Sequence, residues 1–157
     1  MNRLGVSFGW RDKSLAGIVE CVRTAEQSGV ESAWIPEAWG RDAFLALATI
    51  AHVTQRIKLG TGIVNAYSRS PAAIAMATAT LEELSNGRAI LGIGSSGALV
   101  IERWHGLRFQ QPFTRLRECI TIARQIFSGE QVNLEGRVVH VSKFRLAMQP
   151  PTRRIPI

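Results

Sequence analysis

Cysteine is nearly missing from this sequence of 157 residues: Cys21 and Cys119 stand far apart, each on the apolar stripe of a predicted helix. Such places suit small core hydrophobes better than a bridge or a thiolate metal pair. Long apolar runs are missing too, since Gly, Arg or Glu interrupts each one within a dozen residues, whereas a membrane span needs about 20. The leading MNRLGVSFGWRDK has no apolar core followed by a small-residue cleavage site, so the expected location is the cytoplasm. Lysine is scarce, at 3 against 16 arginines, and the formal charge of +7 is mostly guanidinium. Nucleic-acid binding needs such charge clustered on one face among aromatics. Here it is scattered over helix backs and loops, and neither nucleic acid nor membrane is expected as a partner. The positive balance suits an anionic small molecule. What is present is globular composition, 46% hydrophobic and 20% charged, at the length of one domain, residues 1–157.

Short apolar runs alternate with helical faces. Leu4 to Phe8 predicts a first strand, and Leu15, Ile18, Val19, Val22 and Ala25 predict one face of a helix closed by Gly29. Ala33 to Ile35 stops at Pro36, and Asp42 is placed to cap a second helix that turns Phe44, Leu47, Ala48 and Ala51 inward. Ile57 to Thr61 is a third strand. Ser70-Pro71 supplies a cap and a first-turn proline to a third helix with Ile74, Ala77, Thr78, Leu81 and Leu84 inward. Asn86-Gly87 ends it, Ala89 to Ile93 is a fourth strand, and a fourth helix from about Thr114 carries Leu116, Cys119, Ile120, Ala123 and Phe127 on one side.

Four strand-helix units force parallel strands with right-handed crossovers, because each helix must return the chain to the same edge. Val132 to Leu134 and Val138 to Val141, around Glu135-Gly136, predict a β-hairpin, and Ile155-Pro156-Ile157 reads as the start of a fifth strand. A closed (β/α)8 barrel needs eight strands and about 250 residues. The expected fold is therefore α/β, the amino-terminal half of such a barrel: four βα units plus a hairpin, short of closure. The last strand would present an unpaired edge, which natural domains cover or pair, so association with a second copy is expected.

Candidate chemistry lies at the carboxyl ends of the strands, where barrels place their sites. Gly92-Ile93-Gly94-Ser95-Ser96-Gly97 spells a dinucleotide-binding motif, but that pattern belongs in the first βα turn and opens straight into a helix. Here a long loop, Ala98 to Phe113, intervenes, which leaves either backbone amides that approach a ring or phosphate, or a tight turn. Gly60-Thr61-Gly62-Ile63-Val64-Asn65 can bulge main chain toward a ligand or simply turn. Asn65 can bond a heterocycle edge or close an Asx turn. Glu37 can contact a cofactor, protonate a substrate, or favour the start of the second helix. Trp39 and Trp104 are either walls beside a ring or loop packing. His52, His105 and His140 lack the spacing of a metal set.

Taken together and in order, several segments resemble the luciferase-like monooxygenase superfamily, in its deazaflavin (coenzyme F-420)-dependent oxidoreductase branch. They are Trp34 to Ala43, Ile57 to Ile63, Ser70-Pro71, Leu81 to Arg88, and Leu91 to Gly97 running on to Trp104-His105-Gly106. The resemblance spans the chain and implies a cis peptide between Gly62 and Ile63, bulged against a flavin-like ring. It makes Glu37 the carboxylate after strand two and Asn65 a ring-contacting polar group, and places Gly94, Ser95, Ser96 and Gly97 along the cofactor. Ala38 stands where several relatives carry a histidine, and Gly97 lies near the place of an acid used by sugar-phosphate-oxidising relatives, so neither chemistry is implied. Relatives of this kind run to about twice this length.

The resemblance implies an oxidoreductase that passes a hydride between F-420 and a small organic substrate. A reduced-FMN monooxygenase is the alternative within the family, and a non-catalytic half-barrel or assembly fragment is the alternative outside catalysis.

Overall fold

The computed structural model describes residues 4–9 and 13–157. Part of the leading stretch on which the reading of the amino terminus rests lies outside the described residues. Strands β1 (Gly5–Ser7), β2 (Ser32–Ile35), β3 (Lys58–Thr61) and β5 (Ala89–Ile90) form one parallel sheet in the order β1-β2-β3-β5. Helices α1 (Leu15–Gln27), α2 (Ala43–Val53) and α3 (Pro71–Leu84) make the crossovers. Neighbours in the sheet follow chain order, with no reversal, which is a barrel's arrangement and not that of a doubly wound dinucleotide fold. The glycine motif does not mark a dinucleotide domain.

Local chemistry starts and stops the helices as the residues predict. The Ser14 hydroxyl accepts from Gly17 N at 3.1 Å, Asp42 from Leu45 N at 3.0 Å and Ser70 from Ala73 N at 3.1 Å. Gly29 takes φ +82° after α1, where a side chain would be strained. Ala33, Ile35, Leu59, Ala89 and Leu91 alternate to one face of the sheet and pack under the helices with Ile50, Ile74 and Leu81.

Two inward faces differ from expectation. Leu84 is 54% exposed, because Glu82 and Ser85 take the inward positions at that turn. Helix α4 (Pro112–Phe127) begins two residues before Thr114, with Gln111 at φ 48° ahead of Pro112, and Ile122 and Ile126 are buried on it while Ile120 is only half-buried. The loop before α4 holds a π-helical turn, Val100–Trp104.

Arg88 is buried and, among the described residues, hydrogen-bonds to carbonyls and a hydroxyl with no carboxylate bonded to it. Its guanidinium donates to the carbonyls of Ala51, Thr54, Ile57 and Ser85 and to the Thr54 hydroxyl, at 2.7–3.0 Å. It thus satisfies carbonyls that the end of α2 leaves free. Glu82 on α3 accepts from Ala89 N and pairs with Arg153 at 2.6 Å, fastening the chain's last segment. There Ile155 is buried and Leu91 N donates to Pro156 O at 3.0 Å, so the end of the chain lies beside β5 as a fifth strand would.

The hairpin is β7 (Val132–Glu135) with β8 (His140–Phe144), antiparallel and irregular near Asn133. Its second strand runs past the expected Val141, where the Asn133 side-chain Oδ1 accepts from Lys143 N at 2.8 Å, with Lys143 at φ 54°. Glu118 on α4 holds the tip, accepting from Arg137, Val138 and Val139 N at 2.8–3.1 Å.

Candidate active site at the carboxyl edge

The sheet is broken at one level across two strands. After β3 the peptide bond Gly62–Ile63 is cis, and the chain resumes as β4 (Val64–Asn65) beside β6 (Ile93–Gly94). Gly62 N donates to Ile35 O at 2.8 Å and Glu37 N to Ile63 O at 3.2 Å, tying this bulge to the end of β2. The Thr61 hydroxyl donates to Gly92 O at 2.7 Å and accepts from Gly92 N at 2.9 Å. A side chain thereby replaces the ladder contacts the bulge interrupts, as buried backbone groups require.

Close approach explains the glycines here. A Cβ on Gly92 would lie 1.9 Å from Thr61 O, and one on Gly60 would lie 2.4 Å from the Trp34 ring. Trp34 and Gly60 are register partners on the face turned away from the helices. Gly62 is exposed and Gly97 has open space around it. Gly94 faces Ile63, while Ser95 is half-buried and Ser96, at φ 57°, is exposed. The bulge and the Gly94 to Gly97 loop form one rim with little side-chain cover.

Asn65 is buried and closes an Asx turn, its Oδ1 accepting from Tyr67 N at 3.0 Å and Ser68 N at 2.7 Å. Glu37 has both oxygens engaged: Arg69 donates to them at 2.9 Å twice, and Ala43 N donates to Oε2 at 3.0 Å at the start of α2. Arg69 also pairs with Asp42 and lies over the Phe44 ring, 5.3 Å from its centre. The bond to Glu37, against the cost of burial, raises the Arg69 guanidinium further above its usual range. For Asp42, burial is outweighed by the Leu45 amide and Arg69, and its carboxyl is held below the usual range.

A cleft of about 340 Å³ opens among Glu37, Asp42, Asn65, Ser68, Arg69 and His105. It unites Glu37 with Asn65, but Gly94 to Gly97 lie outside its walls. Of its other walls, Arg69 was not singled out from the sequence, Asp42 was read only as the cap of the second helix, and His105 only as lacking the spacing of a metal set. Arg69 was the discoverable one, being a lone cation beside the α3 cap at the same edge as Glu37. Trp39 and Trp104 meet edge to face at 4.6 Å, both about half exposed, and join the loop after β2 to the loop before α4. Cys119 is buried, which pushes its thiol up to about 11, and Cys21 is half-buried, both as free thiols.

The sequence model described as luciferase-like monooxygenase matches residues 3–157. The chain belongs to the luciferase-like monooxygenase family. A member from Mycobacterium tuberculosis, named as a coenzyme F-420-dependent oxidoreductase, is 43% identical over 129 residues, covering 82% of this chain and 37% of the relative. The solved coenzyme F-420-dependent tetrahydromethanopterin reductase of Methanopyrus kandleri superposes with TM-score 0.83 at 30% identity, covering 92% of this chain and 45% of the other. The oxygenating constituent of the 3,6-diketocamphane monooxygenase of Pseudomonas putida, solved with FMN, gives TM-score 0.83 at 22% identity over 98% of this chain and 49% of the other, a likeness of fold alone. The chain thus spans about half the length, or less, of these luciferase-like relatives, and its open sheet is part of a barrel architecture. Among its described residues, no helix is long and apolar enough to cross a membrane.

Proposed function

We propose that this chain forms the cofactor-holding front half of an oxidoreductase that uses coenzyme F-420 to pass a hydride to or from a small organic substrate. The observation that carries the reading is the bare main-chain rim at the carboxyl edge, where the Gly62–Ile63 bulge stands beside Gly94, Ser95, Ser96 and Gly97. Glycines at 62, 94 and 97 leave this rim with little side-chain cover, so a flat ring can lie against the peptide groups. Named F-420 dependence in the Mycobacterium tuberculosis and Methanopyrus kandleri relatives supports the choice of ring.

When bound, a deazaflavin supplies the two-electron chemistry. The chain's own part is placement. Ile63 and Gly62 offer a fixed ledge, the Asn65 turn sets the chain that follows it, and the Glu37–Arg69–Asp42 group holds β2, α2 and the β4–α3 loop together around the cleft. Glu37 on this reading positions Arg69 and the start of α2.

Anaerobic titration of this chain with oxidised F-420 and, separately, with FMN tests the choice. Saturable quenching of F-420 fluorescence is the expected result. Saturation with FMN alone assigns the site to a flavin monooxygenase instead, and saturation with neither contradicts cofactor binding by this chain.

A further inference from the structure

Three of the arginines that are scattered along the sequence meet at one place in the fold. A cleft of about 440 Å³ opens between the loop before α4, the first turns of α4 and the hairpin tip, and Arg108, Arg115 and Arg137 line it with Tyr67, Gln111 and His140. Among the described residues, no carboxylate lines it. The acids nearby in the chain are engaged: Glu118 by the Arg137, Val138 and Val139 amides, Glu102 by Phe109 N at 3.2 Å, and Glu135 by His140 at 2.9 Å.

The guanidinium-bearing walls are held in place. Tyr67 donates to Gln110 O at 2.8 Å and stacks on Phe109 at 5.3 Å, which pins the segment carrying Arg108. The Arg115 guanidinium lies 4.6 Å from the centre of the Tyr67 ring, and its Nε is buried with no hydrogen-bond partner among the described residues. Gln111, at the head of the 16-residue helix α4, makes no side-chain cap bond and lies in the wall of the cleft. Fixed guanidinium forks are the side chains best matched to phosphate and carboxylate oxygens, and like charges held together gain most from a multivalent anion.

We propose that this cleft binds a small-molecule polyanion through phosphate or adjacent carboxylate groups, at a place distinct from the Gly62–Ile63 rim. The proposal stands independently of the redox reading, since neither its residues nor its probes involve the ring.

Calorimetric titration of the whole chain with inorganic pyrophosphate and with citrate tests it, the two probes separating a phosphate ligand from a carboxylate one. Saturable binding of at least one probe is expected. The exposed double substitution R108Q/R137Q should weaken it by about tenfold or more while leaving the thermal midpoint unchanged. Absence of binding by both probes overturns the proposal, as does equal affinity in the double variant. Retention of a DNA duplex with no response to either small anion also overturns it, assigning the charge to nucleic acid.

Discussion

Arg69 joins two carboxylates that the sequence places five residues apart, and its removal leaves Glu37 and Asp42 facing each other without a cation. The Arg69→Met variant is expected to lose about 1–2 kcal/mol in urea denaturation, the scale of partly exposed charged hydrogen bonds. Asp42 adds a pH signature. Its carboxyl is depressed in the folded chain, so its contribution is complete above the ordinary aspartate value of about 3.9 and is lost as the pH falls through the lower folded value. Arg69→Met should shed part of that acid sensitivity, seen as a smaller fall of the thermal midpoint below pH about 4. For Glu37, positioning predicts that Glu37→Gln weakens F-420 binding by up to about tenfold with the pH profile of F-420-dependent turnover unchanged. Disappearance of one limb of the pH profile would instead make Glu37 the proton donor. The residues alone left this choice open because Arg69 lies 32 positions away in the chain, and only folding reveals that it occupies both carboxylate oxygens.

At the scale of elements, what was legible is what is local. Caps at Asp42 and Ser70, the Gly29 stop and the proline at the head of α3 act within a turn of their own residue. The hairpin register was not legible, since it depends on Glu118 reaching from α4 to three amides and on Asn133 taking Lys143 N. Burial opposes but does not outweigh those amides, and the Glu118 carboxyl is held below the usual range. Glu118→Ala is therefore expected to raise amide exchange at Arg137, Val138 and Val139 selectively, and wild-type protection there should fall as the pH drops through the depressed value. Uniform exchange across the chain would contradict a local clasp. At Gly92 the constraint is steric, because a Cβ would strike Thr61 O. Gly92→Ala is expected to cost about 1–3 kcal/mol in stability, measured by denaturant titration.

The whole molecule is a run of adjacent parallel strands covered by helices on one face, with Trp34 and Gly60 on the other. Parallel order and the half-barrel architecture were readable because periodicity and crossover handedness leave few topologies. The gathering of Arg108, Arg115 and Arg137 was not, since three residues from one helix and two loops meet only in space. The bulge falls between these cases: its glycines were visible, but the repair by Thr61 and the pairing of β4 with β6 needed coordinates. A redox ring resting on this bulge is tested most directly by mapping backbone amide NMR shifts while F-420 is added. Perturbations centred on Gly62, Ile63 and Asn65 and on Gly94 to Gly97 are the predicted result. Shifts confined to the amino-terminal edge of the sheet, or to the arginine cleft, would contradict it.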